Sequence, residues 1–441
     1  MNKDLKFALS VSVLLSIGYI YYDIPWGLMD DYKWIVRTEE FMLNPFSSYI
    51  EFQKYMISKG TIQPFIHVQY IIQYIPGLYI SPLITHIENI FILIFTHYFL
   101  YKIISNKIRI NYLYSLSIFL IFPYTFDLFL LPSLQEKFTI PLFSYLLYRL
   151  EKAREDSLDG SIILFIISFS IPLIKLQGSV FILFIFLYFF YFRTKSSIIS
   201  LLGFSLSIFI QAYLLFFTNS GYYVLDKTPT QILNNLLSLP NLLFIAVILI
   251  SVFFAFIENN KETQIYIYGF CLSGLGIIFI LINWDTYGYL YGFYSFFLCI
   301  LVPYCVVSVS ERLNFKLLNI LIPTALLVLT VLSVNLFFLP RIERWSDLNV
   351  VYEVLDSVKL DNNIYYCGSE GVLTFNNLND TKNKVNFAGN FNEINQKKFY
   401  FITDDLQCDY LNDDFLSNCE ILSPFNSKYN RMEINKYSCN K

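Results

Sequence analysis

Charged side chains are scarce in this sequence, and the few that occur nearly cancel. Asp, Glu, Lys and Arg make up 15% of the 441 residues, against roughly a quarter in an ordinary soluble domain. The 31 basic and 34 acidic residues leave a net charge of −3. Binding of nucleic acid requires a strongly positive surface, so no nucleic-acid partner is expected. With 56% hydrophobic residues, a water-soluble fold is also disfavoured.

Three sequence signatures of known chemistry are missing as well. The chain contains no glycine-rich phosphate loop of the P-loop or dinucleotide-binding type, no His-Glu-x-x-His zinc helix and no Cys-x-x-Cys pair. No nucleotide is therefore expected to enter the reaction. Ionisable groups within the apolar runs are few, and no repeat relates them, which disfavours an energy-coupled transporter.

Long apolar runs dominate the first three quarters of the chain. Because a bilayer-spanning helix needs about twenty apolar residues, these runs predict an α-helical polytopic membrane protein. We predict about eleven transmembrane helices in residues 1–340. Their approximate ranges are 6–22, 84–104, 111–128, 138–150, 160–174, 177–192, 197–217, 240–257, 265–282, 292–309 and 317–338.

The distribution of basic residues predicts the orientation of these spans. With a cytoplasmic amino terminus, thirteen Lys and Arg residues fall in the inside loops and seven in the outside loops, and cytoplasmic loops are the ones that retain positive charge. The first apolar run lacks a small-residue cleavage pattern and is interpreted as a retained anchor. The abundance of Ile, Phe, Tyr, Asn and Lys indicates an AT-rich genome, and we expect a bacterial inner or cell membrane.

An odd number of spans places residues 341–441 outside the cytoplasm. This tail holds eleven basic and fifteen acidic residues and short alternating runs, which predict a small extracytoplasmic α/β domain. Disulfides persist outside the cytoplasm, and four of the seven cysteines lie in the tail. We predict two disulfides there, with a zinc site as the alternative. The candidate cysteines are Cys367, Cys408, Cys419 and Cys439.

The first predicted outer loop, residues 23–63, contains two adjacent carboxylates, Asp30 and Asp31. Neighbouring like charges and partial desolvation raise the pKa of one such carboxyl group toward neutrality, which suits a general base. The alternative is that the pair caps a helix beginning near Tyr32. One Asp can cap while the other reacts, so the two interpretations are compatible.

The stretch that follows, residues 63–76, carries His67 and several Gln and Tyr residues among Ile and Phe. This mixture predicts an interfacial helix with its polar edge toward the site. A polar-faced transmembrane helix buried in the bundle is the alternative.

Further candidate residues lie in the later outer loops. Lys175 follows an apolar run, where an uncompensated ammonium costs about 2.5 to 3.5 kcal/mol, so it either reaches the surface or faces a phosphate. In the second predicted outer loop, residues 123–137, Asp127 and Glu136 are candidates to hold an acceptor hydroxyl or a divalent ion, and Lys137 is a candidate to bind a phosphate. The alternative is that Glu136 and Lys137 anchor the end of a span at the membrane interface. The predicted outer loop 283–291 is rich in Trp and Tyr, and it is interpreted either as an interfacial anchor or as a surface on which a sugar ring stacks. The substrate-binding candidates are Asp127, Glu136, Lys137, Lys175, Gln177, His67, Trp284, Asp285 and Tyr287.

In layout the chain resembles the GT-C membrane glycosyltransferases that use polyprenyl-phosphate sugars, which include protein mannosyltransferases and the aminoarabinose transferases that act on lipid A. The matching features are the Asp30-Asp31 pair, a helix over 32–42, the segment 60–64 and the tail after Pro340. The pair is Asp-Asp here, whereas Asp-Glu is common in the family. Where many members carry Arg, the sequence has His86 to Glu88.

The resemblance implies transfer of a sugar from a polyprenyl-phosphate donor to an acceptor hydroxyl of a glycan, lipid or protein at the outer face. Inversion of the anomeric centre follows if the displacement is direct. Asp31 or Asp30 would act as the base, and Lys137 and Lys175 would stabilise the leaving phosphate. No cofactor is required, although a divalent cation such as Mg²⁺ or Mn²⁺ on Asp30, Asp31 or Glu136 stays open. The alternatives are a surface-polysaccharide polymerase and a lipid-linked glycan flippase or other transporter.

Overall fold

The computed structural model describes the greater part of the apolar region and the strands of the tail. All structural statements below concern these residues. The described ranges are 3–22, 31–105, 107–108, 110, 112–130, 134–156, 161–217, 228–283, 288–313, 318–343, 346, 364–367, 386–387, 398–404, 419–426 and 433–440.

Seven of the described helices are long and apolar enough to cross a bilayer, and large apolar side chains such as Phe216 and Phe217 are 78% and 73% exposed on their surfaces. The chain is therefore an α-helical membrane protein whose exposed helix faces contact lipid. The seven are α1 (Lys3–Tyr22), α6 (Pro82–Ile104), α12 (Lys195–Phe217), α14 (Leu239–Phe256), α15 (Lys261–Asn283), α16 (Gly292–Leu313, of which the span runs to Arg312) and the segment Thr324–Glu343, which comprises most of α17 (Leu318–Ser333) and the π-helix Val334–Phe338.

The third predicted span is not a single helix. It is divided into α7 (Tyr112–Ile121) and α8 (Pro123–Leu130), and the two axes are bent by 85°. Proline lacks the backbone N–H that would continue the helix, so carbonyl groups of the preceding turn are left without helical partners. The hydroxyl of Ser333 donates to two of them, the carbonyls of residues 120 and 121, at 3.1 and 2.9 Å.

Three further predicted spans differ from complete crossings in length or charge. The helix α9 (Thr139–Asp156) ends in a charged turn, α10 (Ser161–Ile174) has 14 residues and α11 (Phe181–Phe192) has 12. A helix of 14 residues is about 21 Å long, which is shorter than the roughly 30 Å hydrocarbon core. Eleven complete crossings are therefore not confirmed.

The helices α10 and α11 run in opposite directions. The turn between them places Lys175 against Glu136, just before α9 begins, whereas Tyr188 near the end of α11 donates to Glu151 near the end of α9. The helix α11 therefore runs parallel to α9, and α10 runs antiparallel to both. We call the end at which α6 and α9 begin the predicted outer end, and the opposite end the predicted inner end.

Close packing of α10 against α12 depends on a glycine. A Cβ atom at Gly203 of α12 would lie 2.5 Å from the hydroxyl oxygen of Ser168 and 2.9 Å from the carbonyl oxygen of Phe165. The absence of a side chain allows the two backbones to approach, as small residues do at many membrane helix interfaces.

The described part of the first predicted outer loop, together with the stretch that follows it up to Tyr79, forms a helical layer. Its elements are α2 (Asp31–Leu43), α3 (Pro45–Ser58), α4 (Ile66–Gln69), the π-helix Tyr70–Tyr74 and α5 (Ile75–Tyr79). None of these is among the helices long enough to span. The side chain of Gln211 on α12 accepts from the Thr61 hydroxyl at 3.0 Å and donates to the carbonyl of Ile62 at 3.2 Å. These two bonds attach the layer to the bundle.

The remaining helices are short or irregular. They are α13 (Pro229–Leu236), which begins with a capping box formed by Thr228 and Gln231, and the 3₁₀ turns Glu136–Phe138, Leu176–Val180 and Gly288–Tyr291.

The described residues of the tail form a five-stranded sheet of β1 (Ile364–Cys367), β2 (Asn386–Phe387), β3 (Lys398–Asp404), β4 (Cys419–Asn426) and β5 (Glu433–Asn440). The strand order in the sheet is β2-β1-β3-β5-β4. Pairing of β1 with β2 and with β3 is parallel, and β5 pairs antiparallel with β3 and β4. A disulfide joins Cys419 to Cys439 across β4 and β5, which confirms a disulfide in the tail. The side chain of Cys367 and the whole of Cys408 lie outside the described residues.

Candidate functional site

A buried polar cluster occupies the predicted outer end of α6 and α9. Its centre is Lys137, which has no exposed surface and donates from its ammonium to Oδ1 of Asn89 at 2.6 Å. The lysine lies in the 3₁₀ turn that precedes α9, and Asn89 lies in the second turn of α6. A buried ammonium is costly unless it is hydrogen-bonded and electrostatically compensated, so this contact stabilises the charge.

A chain of side-chain amides extends from Asn89 to the helical layer. Nε2 of Gln73 donates to Oδ1 of Asn89 at 2.6 Å, and Nε2 of Gln69 donates to Oε1 of Gln73 at 3.2 Å. The Asn89 amide nitrogen in turn donates to the carbonyl of Leu130 at 3.2 Å. These bonds connect the π-helix Tyr70–Tyr74, α6 and α8 into one polar network. Most polar groups of this network have hydrogen-bond partners although they are buried.

Lys175 and Glu136 form an ion pair beside this network. Their charged atoms lie 3.0 Å apart, and the side chain of Lys175 is 24% exposed whereas that of Glu136 is 2% exposed. Lys175 has an extended backbone where α10 ends, and its carbonyl accepts from the N–H of Gly178 at 2.9 Å. The glycine is required at that point, because a Cβ atom would lie 2.6 Å from the Ile171 carbonyl oxygen.

Two buried oxygen atoms near this pair have no hydrogen-bond partner within the described residues. They are Oε1 of Gln177 and Oε2 of Glu88. Glu88 precedes Asn89 on α6 and lies close enough to Lys137 to interact with it electrostatically. Buried unpaired oxygens are rare, and at a cleft they are commonly completed by a ligand or by water.

An apolar cavity of about 660 Å³ lies next to the cluster. Its wall combines residues of the helical layer, α6, α9 and α10 and includes Gln69, Gln135 and Ile174. Gln135 and Ile174 directly precede Glu136 and Lys175, so each residue of the ion pair is one position along the chain from the wall. Its aromatic lining includes Phe99 and Tyr145, which are 53% and 44% exposed and therefore face the bilayer as well. The volume lies in the usual range for small-molecule sites.

The predicted residues Glu136, Lys137, Lys175 and Gln177 thus belong to one region of the structure, while others lie apart or cannot be placed. Asp31 is the first residue of α2 and Asp127 lies within α8, but the structure describes neither side chain. Asp30, Trp284, Asp285 and Tyr287 lie outside the described residues. Within the described part of the chain, no group of three or more potential metal-binding side chains occurs.

His67 belongs to an aromatic cluster rather than to the lysines. Its ring centroid lies 4.8 to 4.9 Å from those of Phe41, Tyr49 and Tyr70, and both ring nitrogens are buried without a hydrogen-bond partner among the described residues. Burial, and secondarily the nearby Arg37, lowers the pKa of His67 to about 4. A neutral ring surrounded in this way contributes packing, so its predicted role as a phosphate ligand is not supported by these contacts.

A second polar cluster, at the predicted inner end, was not among the predicted site residues. The carboxylate of Glu151 accepts from Lys107 at 3.0 Å and from Arg154 at 2.8 Å, and the hydroxyls of Tyr188 and Tyr266 donate to its other oxygen at 2.8 and 2.5 Å. The cluster links α9, α11, α15 and the segment after α6. Burial alone would lower the pKa of Lys107, but its bonds with acidic partners outweigh burial and raise it.

Glu88 and Glu151 belong to the two polar clusters but were not among the predicted site residues. Glu88 carried a signal, since an ionisable residue within an apolar run commonly marks a functional site. Glu151 lies in a run of charges that is indistinguishable from an ordinary cytoplasmic loop.

No family model matches this chain, and no curated protein or solved structure matches it either.

Proposed function

We propose that this chain is a membrane glycosyltransferase that moves a sugar from a polyprenyl phosphate to an acceptor hydroxyl at the outer face of the membrane. The observation that carries the proposal is the apolar cavity lined by Gln135 and Ile174, the residues directly before Glu136 and Lys175 of the ion pair. A ligand with a long hydrocarbon chain and an anionic head has the same arrangement of apolar and charged parts.

The cavity suits the first part of a polyprenyl chain. Its lining is apolar and aromatic, and Phe99 and Tyr145 are exposed toward lipid. A carrier can therefore enter sideways from the bilayer without crossing water. Burial of apolar area contributes roughly 25 cal/mol per Å², so a chain of several isoprene units gains affinity from this wall.

The phosphate would then lie against Lys175, whose side chain is partly exposed. Lys137 is fully buried and donates to Asn89, so it acts through its electrostatic field rather than by direct contact. An ammonium group in a site of low polarity stabilises a phosphate more strongly than the same group does in water.

The chemistry is a displacement at the anomeric carbon. The acceptor oxygen forms a bond to that carbon, the bond from the carbon to the phosphate oxygen breaks, and the hydroxyl proton passes to a carboxylate. Asp31 or Asp30 is the proposed base, and Asp31 begins α2, the first helix of the layer that lines the cavity. Such proton transfer typically contributes a hundred- to ten-thousandfold in rate. Direct displacement inverts the anomeric centre.

The transporter alternative requires a pathway between the two faces. The Glu151 cluster links α9, α11 and α15 at the predicted inner end with two ion pairs and two tyrosine hydroxyls. This arrangement favours a site that opens to one face only. A flippase would need to break these contacts in every cycle.

Purified full-length protein in nanodiscs, supplied with radiolabelled polyprenyl-phosphate hexoses and candidate acceptors, tests the proposal. We expect a labelled product that is lost in Asp31→Asn or Asp30→Asn at unchanged expression. Full activity in both variants would remove the proposed base. The double variant Lys175→Gln with Glu136→Gln, which leaves no unpaired buried charge, should lose binding of the carrier.

A further inference from the structure

A phosphate bound at Lys175 would contact the same ammonium group that pairs with Glu136. Its carboxylate lies 3.0 Å from the lysine ammonium and is almost completely buried, whereas the lysine is partly exposed. A ligand phosphate can therefore reach Lys175 from the exposed side while Glu136 stays in place behind it. The phosphate would then lie within a few ångströms of a fixed negative charge.

The charge of the ligand changes during the proposed reaction. A polyprenyl-phosphate sugar is a phosphodiester with one negative charge. The leaving polyprenyl phosphate is a monoester, which carries about −1.5 to −2 at pH 7 because its second pKa is near 6. The product is therefore more negative than the donor, although it has the same chain and the same phosphorus atom.

We propose that Glu136 is a specificity-determining residue that makes the site favour the phosphodiester donor over the monoester product. This inference rests on the proposed function. Among the side chains that the structure describes, the charged groups of the region are Lys137, Lys175, Glu136 and Glu88. Whatever the protonation state of Glu88, loss of the Glu136 charge makes the site one unit more positive, which stabilises a doubly charged phosphate more than a singly charged one.

Repulsion of the product by Glu136 and simple positioning of Lys175 by Glu136 predict different results for the same variant. If Glu136 only held Lys175 in position, its removal would weaken both ligands together. If it repels the additional charge of the product, Glu136→Gln should strengthen monoester binding relative to diester binding. Because one unit charge at short range in a partly buried site is worth more than a tenfold change in affinity, we expect the ratio to change by about tenfold or more.

Two probes with the same farnesyl chain provide the test. Farnesyl methyl phosphate is a diester with one charge, and farnesyl phosphate is a monoester that is close to doubly charged at pH 8. Their affinities for full-length protein in neutral nanodiscs are measured by displacement of a fluorescent polyprenyl analogue. Wild-type protein should prefer the diester, and Glu136→Gln should shift the ratio toward the monoester.

Matched variants identify the cause of any shift. Glu136→Asp keeps the charge and should keep the wild-type preference, which also controls for altered folding of the turn. Glu88→Gln makes the same chemical change beside Lys137 and should alter the ratio less. An unchanged ratio in Glu136→Gln, or an equal shift in Glu88→Gln, overturns the inference while carrier binding persists. If wild-type protein binds neither probe, the proposed function itself fails.

Discussion

The ammonium of Lys137 and the amide oxygen of Asn89 lie 2.6 Å apart, and neither side chain is exposed. The contact joins the turn before α9 to α6 and keeps a positive charge inside the bundle. Its partner oxygen also accepts from Gln73, so one atom serves two donors from different elements.

Removal of this charge should destabilise the protein. In Lys137→Met, Asn89 loses a charged donor, and the electrostatic partner of Glu88 is lost. Breaking a buried charged contact typically costs about 3 kcal/mol or more. We expect a clear fall in the midpoint of thermal unfolding in detergent. The control Lys102→Met removes a lysine from an exposed position of α6, the helix that carries Asn89, and an equal fall in that variant would contradict the assignment.

The Glu151 cluster should contribute more to stability than to ligand binding. Glu151→Gln removes the charge that pairs with Lys107 and Arg154, leaving Glu262 as the remaining acidic partner of both cations. We expect a loss of about 3 to 5 kcal/mol, measured by thermal unfolding, with wild-type affinity for a polyprenyl phosphate in the protein that remains folded. Glu40→Gln, which makes the same change at an exposed position of α2, is the matched control.

A result in the opposite direction would revive the transporter alternative. If Glu151→Gln left stability unchanged and accelerated movement of a labelled lipid-linked glycan across proteoliposomes, the cluster would act as an inner gate rather than as a structural contact.

Several features of the fold could be predicted because they depend on local pattern. Long apolar runs set the helix positions, and the helix from Asp31 in the first outer loop follows its amphipathic sequence. The 85° bend at Pro123 was not predicted, because the apolar pattern continues through the break and the Ser333 hydroxyl that supports it lies far away in sequence. The α10–α11 hairpin turns in the gap between the predicted ranges 160–174 and 177–192, and α10 ends at Ile174 as predicted. The 3₁₀ turn Leu176–Val180, which delays the start of α11 to Phe181, was not predicted, because it lies within the apolar pattern.

Individual residues of the candidate site could be predicted from the sequence, but the contacts between them could not. Lys175 is conspicuous because a lysine after an apolar run is costly, yet nothing local indicates that its partner is Glu136. That pairing depends on how α9 and α10 pack. From the sequence alone, Lys137 at the end of a predicted span could equally be an interfacial anchor. Its complete burial results from the tertiary arrangement of α6 and the helical layer.

The pH dependence of stability should reveal His67. Its pKa is about 4 in the folded protein, because burial disfavours the charged ring, against 6.5 in an unfolded chain. Above pH 6.5 both states are neutral. As the pH falls from 6.5 toward 4, only the unfolded state takes up a proton, so stability decreases by up to about 3 kcal/mol in this window. His67→Phe should flatten that part of the unfolding profile, and a slope identical to wild type would show that other groups cause it.

The orientation of the chain can be tested through the tail. Cys419 and Cys439 form a disulfide, and the cysteines within the apolar helices, Cys271 and Cys299, are buried. If the tail is extracytoplasmic, a membrane-impermeant thiol reagent should label intact spheroplasts only after reduction, and labelling should decrease when both tail cysteines of this pair are replaced by Ser. The excess of basic residues in the predicted inside loops also predicts an extracytoplasmic tail. Labelling that requires prior lysis of the spheroplasts would reverse the map, and it would move the Lys175 end of the cavity to the cytoplasmic leaflet.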